Sequence, residues 1–265
     1  MTTSRVAPGV HSHLHGAVLH ITIDNQARLN AFTAAMWAAL PRMINEAERN
    51  ADVRVIVLKG AGDKAFSAGA DISEFEQTRT AAKAAEYDAL NNVAFDTLAA
   101  CAKPTIGMIN GFCLGGGLEV ALCCDLRVAS TTSQFSVPAA KLGIGYNPRW
   151  MRPMLGVVSA ARAKELLFTG RRFSASDAAA MGLVNTVVEA SALASTTTAL
   201  AEEIANNAPL SIFAAKRCID ELAANPARQD MTELDALVAA CFASDDYIEG
   251  RRAFMDKRKP AFKGR

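Results

Sequence analysis

The sequence predicts an α/β fold for residues 1–195 and an all-helical region for residues 196–265. Residues 18–23 alternate in polarity and are rich in β-branched side chains, which is typical of a strand. Residues 53–58 form a buried strand that ends at the glycines of 60–62, and an amphipathic helix lies between the two strands. This order predicts a β-α-β unit, whereas the pattern after about residue 191 is helical almost throughout.

The helix of this unit covers residues 34–50, with Thr33 as its N-cap. A second, alanine-rich helix covers residues 80–102, and its apolar face is predicted to carry Leu90, Val93, Ala94 and Leu98. The remaining elements of the first region are strands at 105–109, 126–129 and 184–188, and helices at 116–124, 160–168 and 176–181.

The composition excludes several classes of protein. The 28 lysines and arginines nearly balance the 27 aspartates and glutamates, so a net charge of +1 favours neither nucleic acid nor a membrane surface as partner. Hydrophobic residues make up 51% of the chain, which excludes disorder. No apolar run approaches the roughly 20 residues of a membrane span, and residues 1–20 lack the features of a secretory signal. We therefore expect a cytoplasmic protein.

The histidines and cysteines suggest no metal centre. The six cysteines have no paired C-x-x-C spacing, and we expect them to be buried free thiols. His11, His13 and His15 would share one face of a strand, which is a possible metal site, but an exposed N-terminal strand is the favoured interpretation. If the functional site lies elsewhere, none of the four histidines can act as its general base.

Two glycine-rich turns are the candidate site. In residues 65–72 the small side chains of 67–70 let a ligand approach the backbone, and Asp71 could cap the next helix. In residues 110–119 three glycines lead from a strand into a helix whose free N–H groups suit an anion or a developing oxyanion. Neither turn has a nucleotide-binding spacing. The alternative is that the glycines only permit tight packing between helix and strand.

Glu119 is the candidate acid or base. It lies in the first turn of a helix among Leu118, Val120 and Ala121, so its apolar surroundings should raise its pKa while the helix N-terminus favours the ionised form. A glutamate at this position is also a common helix-capping residue, which is the alternative.

Together the two turns resemble those of the enoyl-CoA hydratase/isomerase (crotonase) family. Residues 66–72 (FSAGADI) look like its first oxyanion-hole segment, and residues 110–119 (NGFCLGGGLE) look like its second. The likeness continues, in order and at family spacing, through residues 124–129, 135–138, 142–143, 168–170, 179–184 and 257–260.

The resemblance implies a spiral of repeated ββα units followed by a C-terminal helical trimerisation region, with homotrimers that often pair into hexamers. It implies an acyl-CoA substrate whose thioester oxygen lies between the backbone N–H groups of Ala70 and Gly116. It also implies positions that contact the CoA portion, the last two of them on a neighbouring subunit in many members. By position these are Arg28, Ala68, Asp71, Ile72, Phe254 and Lys257. A basic, solvent-facing helix is the alternative for the last two.

One departure from the family pattern limits the functional prediction. Hydratases of the family use two glutamates, of which one matches Glu119, whereas the position of the other is Ala139. Three outcomes stay open: Glu119 hydrates alone, the site performs other enolate chemistry such as isomerisation, decarboxylation or thioester hydrolysis, or the protein binds acyl-CoA without catalysis. Tyr146 could place a hydroxyl in the acyl pocket, or it could pack against the helix that begins near Ala160.

The prediction is an enoyl-CoA hydratase that adds water to trans-2-enoyl-CoA thioesters. Glu119 is its acid/base, and Ala70 and Gly116 hold the thioester oxygen. No metal and no cofactor are expected, because coenzyme A arrives as part of the substrate.

Overall fold

The computed structural model describes residues 7–74, 84–225, 227 and 230–265. Its strands are β1 (Gly9–His15), β2 (Val18–Asp24), β3 (Val55–Gly60), β4 (Ala65–Ser67), β5 (Thr105–Ile109), β6 (Phe112–Leu114), β7 (Leu126–Ser130), β8 (Gln134–Ser136), β9 (Phe173–Ser174) and β10 (Thr186–Val188). Its α-helices are α1 (Ala34–Arg49), α2 (Ala84–Ala99), α3 (Gly116–Leu122), α4 (Pro148–Val157), α5 (Ala160–Thr169), α6 (Ala175–Ala180), α7 (Ala190–Ala205), α8 (Pro209–Ala224), α9 (Thr232–Phe242) and α10 (Asp245–Met255).

The strands form two sheets. The larger sheet has the order β1-β2-β3-β5-β7-β10, in which β1 pairs antiparallel with β2 and every other pair is parallel. The smaller sheet has the order β4-β6-β8-β9, with β9 antiparallel to β8. Because β3, β5 and β7 are each followed by a short strand of the second sheet, successive turns of the chain add one strand to each sheet. The predicted spiral of ββα units is confirmed for β3-β4-α2 and β5-β6-α3.

The predicted β-α-β unit is β2-α1-β3, with β2 and β3 in parallel register. The Thr33 hydroxyl accepts a hydrogen bond from the Met36 N–H and caps α1, as predicted. Helix α1 buries Met36, Trp37, Leu40, Ile44 and Ala47 against the sheet core, at the spacing of one helix face.

Helix α2 presents most of the predicted apolar face to the core, since Ala94 and Leu98 are fully buried and Leu90 packs against the core. Val93 is 55% exposed, so its assignment to the apolar face is wrong. The described residues of this helix also bury Tyr87, Asn91 and Phe95, which the prediction did not include. The predicted start of the helix at residues 80–83 lies outside the described residues.

The C-terminal helices follow the predicted pattern, and α7 belongs structurally with the sheet. Its residues Leu193, Ala201 and Ala205 pack in a cluster with Val55 and Val57 of β3. The division predicted between residues 195 and 196 therefore falls inside a helix that packs on the core. The Lys216 ammonium group of α8 binds the Asp125 carboxylate and the Lys103 carbonyl oxygen, and so connects this helix to the core.

Among the described residues, no helix is long and apolar enough to cross a membrane. The six cysteines are free, as predicted, although Cys218 and Cys241 are only half-buried. His11, His13 and His15 are exposed on β1, and in the described part of the chain no group of three or more potential ligands is placed to hold a metal ion.

Candidate active site

A mostly apolar cavity of about 120 Å³ lies beside the two glycine-rich turns. Six of the site residues predicted from the sequence line it, from three separate segments of the chain. They are Ala68, Ala70, Ile72, Gly116, Glu119 and Tyr146.

The first turn follows β4 and is held by the segment before α1. The Phe32 N–H donates to the Gly69 carbonyl at 2.7 Å, and the Asp71 N–H donates to the Phe32 carbonyl at 2.9 Å. These two bonds flank Ala70 and make a parallel bridge between Phe32 and Ala70. In such a bridge the N–H of the middle residue points away from its partner strand. The Ala70 N–H therefore has no acceptor on the Phe32 segment, and Ala70 itself lines the cavity.

The second turn leads from β6 into α3, where Gly116 is the first helical residue. Its N–H has no acceptor within the helix, as is general for a first turn. The two turns touch: a Cβ on Gly69 would lie 3.0 Å from the Gly116 nitrogen, and a Cβ on Gly117 would lie 2.5 Å from the Ser67 carbonyl oxygen. The glycines therefore do permit tight packing, and that packing brings Ala70 and Gly116 to the same cavity.

Glu119 is the buried charge of this cavity, with 1% of its surface exposed. Its Oε1 has no hydrogen-bond partner among the described residues, and its Oε2 accepts a hydrogen bond of 2.8 Å from the Tyr146 hydroxyl. It does not cap α3, because the Gly115 N–H donates to the Ser136 carbonyl instead. Burial raises the pKa of Glu119 from 4.5 to about 8, and the Tyr146 hydrogen bond opposes that rise.

Tyr146 reaches Glu119 across 27 positions of sequence. Its ring packs edge-on against Trp150 of α4, with ring centroids 5.5 Å apart. Burial, the nearby Glu119 charge and their hydrogen bond all raise the pKa of the Tyr146 phenol. The hydroxyl therefore acts as a hydrogen-bond donor to the carboxylate.

Asp71 and Arg28 lie beside the cavity and not in its lining. The Asp71 Oδ1 accepts hydrogen bonds from the Ser73 N–H and hydroxyl, which caps the short 3-10 turn Ile72–Glu74. Burial raises the pKa of Asp71, but the Ser73 hydrogen bonds and the positive charge of Arg28 outweigh it and hold this pKa below its usual value. Arg28 itself is exposed.

Phe254 and Lys257 are not brought to this cavity within the chain. Phe254 is 83% exposed and lines a second, apolar groove between α8, α9 and α10. Lys257 follows α10 with a φ of +52° and is also exposed.

The enoyl-CoA hydratase/isomerase family model matches residues 13–265. The chain belongs to this family.

Relatives within the family act on different acyl groups. The short-chain-enoyl-CoA hydratase of Clostridium acetobutylicum is 35% identical, over 94% of this chain and 96% of that one. The carnitinyl-CoA dehydratase of Citrobacter koseri is 31% identical, over 98% of this chain and 100% of that one. An enoyl-CoA hydratase/carnithine racemase structure from Magnetospirillum magneticum is 37% identical with a TM-score of 0.93, over 97% of this chain and 96% of that one.

At the position that matches the second family glutamate, the cavity wall has a small apolar side chain. Ala139 lies in the 3-10 turn Pro138–Leu142 and lines the cavity. Of the described residues in the lining, Glu119 is the only carboxylate. Any proton transfer by a carboxylate of this lining therefore falls to Glu119.

Sequence reasoning missed several residues of the lining. Trp37, Phe95 and Trp150 form a continuous aromatic wall, and each was invisible as a site residue because large apolar side chains also fill ordinary cores. Asn91 was missed for a different reason, because no polar residue of α2 was assigned to its inward face. Once Tyr87, Ala94 and Leu98 are seen to face inward, Asn91 falls on the same face.

Proposed function

We propose that this family member hydrates short-chain trans-2-enoyl-CoA thioesters to 3-hydroxyacyl-CoA, with Glu119 as the single acid/base. The observation that carries the proposal is the state of Glu119. It is a buried carboxylate in the lining of the cavity, with one oxygen bound by Tyr146 and the other without a partner among the described residues. A pKa of about 8 lets this group exist in either protonation state near neutral pH, as a general acid/base requires.

In this proposal the thioester oxygen lies between the N–H groups of Ala70 and Gly116. Attack at Cβ turns the thioester into an enolate, and two backbone donors fixed in place stabilise the negative charge that develops on oxygen. Losing one such donor costs about 3–4 kcal/mol of transition-state stabilisation in comparable sites. The contact between the two turns supports the arrangement, because it fixes both residues relative to each other.

The protons balance with one carboxylate. Ionised Glu119 accepts a proton from water as the water oxygen bonds to Cβ and the electron pair of the double bond moves toward the thioester oxygen. Protonated Glu119 then gives a proton to Cα, the enolate collapses to the thioester, and the carboxylate is restored. The sequence of steps uses only water, the thioester and Glu119, so we propose that neither a metal nor a separate cofactor takes part.

Tyr146 supplies part of what a second glutamate would supply. Its hydroxyl fixes the Glu119 Oε2 and favours the ionised form of the carboxyl group, which leaves Oε1 to handle the proton. It does not replace the second acid, since burial raises its pKa far from the range in which it would titrate. We therefore expect slower hydration than from a site with two carboxylates.

The size of the cavity supports a short acyl chain. Its volume of about 120 Å³ is somewhat below that of the engineered cavity that binds benzene, about 150 Å³, so we expect it to fit roughly four to six carbons. Ile72 and Leu142 also line it and are 69% and 60% exposed, which places them at its mouth.

The test is turnover of crotonyl-CoA, followed by loss of the enoyl thioester absorbance and by identification of the product. We expect 3-hydroxybutyryl-CoA, and Glu119→Gln should lower kcat by about 10²–10⁴-fold. Glu203→Gln, the same change at an exposed glutamate of α7, is the matched control. Release of free CoA would identify a thioester hydrolase, movement of the double bond an isomerase, and tight binding without turnover a silent acyl-CoA-binding protein.

A second candidate substrate carries a quaternary ammonium group on the acyl chain. Trp37, Phe95, Tyr146 and Trp150 line the cavity beside the Glu119 carboxylate, and aromatic faces attract such cations. In this case the enzyme would interconvert an ammonium-bearing enoyl-CoA and its 3-hydroxy form. Comparison of kcat/KM for crotonyl-CoA and for its trimethylammonium derivative separates the two candidates.

We also propose a homotrimer, or a hexamer of paired trimers, in the cytoplasm. Support for assembly comes from the C-terminal helices, where Phe242 and Phe254 are 62% and 83% exposed along an apolar groove. A large exposed apolar patch usually marks a surface that is buried by a protein partner. Sedimentation equilibrium of the full chain, with and without Phe254→Glu, tests the assembly.

A further inference from the structure

Asn91 is a polar side chain without an assigned role in the wall of the cavity. It lies on α2, is 4% exposed, and lines the same cavity as Glu119. Its Oδ1 is buried without a hydrogen-bond partner among the described residues. Buried amide oxygens are nearly always hydrogen-bonded in folded proteins, so an unpartnered one in a ligand cavity needs an explanation.

No described residue of the protein forms a hydrogen bond to the Oδ1 of this amide. The neighbouring Asn92 has a structural role, because its Oδ1 accepts a hydrogen bond of 2.8 Å from the Trp150 indole N–H. Asn91 faces the other way, on the inward side of α2 between the buried Tyr87 and Phe95. A leucine there would complete an apolar wall at no cost in hydrogen bonds, so the amide is expensive for folding alone.

The surroundings decide what the amide can bind. Other residues of the same lining, such as Phe95, Val137, Ile144 and Trp150, offer mainly apolar surface. A carbonyl oxygen surrounded by apolar walls favours a ligand that donates a hydrogen bond to that oxygen. A ligand made only of carbon and hydrogen would leave the oxygen desolvated and unpaired.

We propose that Asn91 is a specificity-determining residue, whose Oδ1 accepts a hydrogen bond from a hydroxyl carried on the acyl chain of the CoA thioester. The preferred substrate class is then a short hydroxyacyl or hydroxyenoyl thioester in place of a plain alkyl one. The inference rests on the proposed function only in taking the ligand to be an acyl-CoA. The same chemistry could come from the water that adds to Cβ, and the experiment separates these two sources.

Binding of unreactive thioesters is the direct test. Titration calorimetry of the full-length protein compares butyryl-CoA with 4-hydroxybutyryl-CoA, and hexanoyl-CoA with 6-hydroxyhexanoyl-CoA, none of which carries the 3-hydroxyl of the proposed reaction product. For at least one hydroxyl position we expect a Kd about tenfold or more below that of the unsubstituted partner. Asn91→Leu should reduce this ratio to about one, and Asn91→Asp, which keeps an acceptor, should retain a preference. Thr97→Leu makes a polar-to-apolar change on the same helix away from the cavity lining and should leave the ratio unchanged.

Each other outcome overturns the proposal. Equal affinity for the hydroxylated and unsubstituted thioesters in the wild-type protein, or a preference that persists in Asn91→Leu, shows that Asn91 does not read the acyl chain. If Asn91→Leu leaves binding unchanged but lowers kcat equally for plain and hydroxylated enoyl-CoA, the amide binds the reacting water instead. Failure of the proposed function is a separate result, since the binding ratio is measured without turnover.

Discussion

Burial of one carboxyl group next to one phenol governs the chemistry at the scale of single residues. Glu119 loses nearly all contact with water, which raises its pKa, and Tyr146 recovers part of the lost stabilisation of the charge. The protein therefore carries a proton at neutral pH that an exposed glutamate would release.

The first prediction concerns stability and pH. The pKa of Glu119 is about 8 in the folded protein against a usual value of 4.5, so between these values the folded state holds a proton that the unfolded state has lost. The free energy of unfolding contributed by this group must fall as pH rises through that window, by up to about 1.4 kcal/mol per pH unit. Glu119→Gln cannot titrate, and its stability relative to wild type should rise steadily from pH 5 to pH 8 in urea unfolding. A constant difference across that range, with Glu203→Gln as reference, would contradict the pKa.

The second prediction concerns Tyr146→Phe. Removal of the hydroxyl deletes the one hydrogen bond that lowers the pKa of Glu119, so that pKa should rise above about 8. Because the ionised carboxylate starts hydration, the rising limb of kcat/KM against pH should move to higher pH and activity at pH 7 should fall. Tyr247→Phe on α10 is the control. An unchanged or lower limb would show that the phenol does not tune the carboxylate.

Some residues of the candidate site could be predicted from the sequence, and the contacts between them could not. Glu119, Ala70 and Gly116 could be identified because each lies in a local motif whose chemistry is visible in a few adjacent letters. The contact between Tyr146 and Glu119 could not, since it joins two segments through the tertiary fold. Asn91 could have been suspected because it lies at helical spacing from Tyr87 and Phe95, but the exposed Val93 was assigned to the inward face and no polar residue was.

Contact between two turns is the critical feature at the scale of elements. Gly117 is buried against Ser67, with no space for a methyl group. The third prediction is that Gly117→Ala destabilises the protein by about 1–3 kcal/mol, because the added Cβ must push the turns apart. Crotonyl-CoA turnover should fall with it, since Ala70 and Gly116 separate. Urea unfolding and kcat measure the two effects.

Gly156→Ala is the matched control for this prediction. Gly156 lies on α4, where a Cβ would meet nothing within 4 Å. Alanine in place of glycine within a helix should stabilise the protein by about 0.5–1 kcal/mol. If both substitutions had the same effect, the contact between the turns would not be what constrains Gly117.

Elements of the larger sheet were predictable and those of the smaller sheet were not. Strands β2, β3 and β5 have five to seven residues, enough for alternation or a buried apolar run to be seen. Strands β4, β6 and β8 have three residues each, which is too short for any periodicity. The family resemblance implied repeated ββα units but gave no positions for these short strands, two of which lie in the glycine-rich turns.

Attachment of the C-terminal helices to the core is decided at the scale of the whole molecule. The Lys216 ammonium of α8 lies 2.8 Å from the Asp125 Oδ2 and 3.2 Å from the Lys103 carbonyl oxygen. The same Asp125 oxygen accepts hydrogen bonds from the N–H and hydroxyl of Thr105 at the start of β5. One carboxylate thus joins a sheet strand to a helix more than 90 positions later.

The fourth prediction follows from this connection. Lys216→Met leaves Asp125 with less compensation in a half-buried site and should destabilise the protein by about 1–3 kcal/mol. Hydrogen exchange should increase first in α8, while β3 and β5 stay protected. Lys164→Met, on the exposed face of α5, is the control. Uniform exchange across the chain would instead indicate that the helices and the sheet unfold as one unit.

The order of the strands in the sheets could not be predicted from neighbouring residues in the sequence. A β-α-β unit can be predicted from local pattern. The strand order β1-β2-β3-β5-β7-β10 cannot, because β4, β6 and β8 belong to a second sheet. Likewise, residue 195 marks a change of composition, while the packing of Leu193 and Ala201 on β3 keeps the whole of α7 with the sheet.

Both tryptophans of this chain, Trp37 and Trp150, belong to the aromatic wall. Tryptophan fluorescence of the unlabelled protein therefore originates entirely at the cavity that is proposed to bind the acyl chain. A change in the emission maximum or intensity when a thioester is added therefore reports occupancy of the cavity, with no background from other tryptophans.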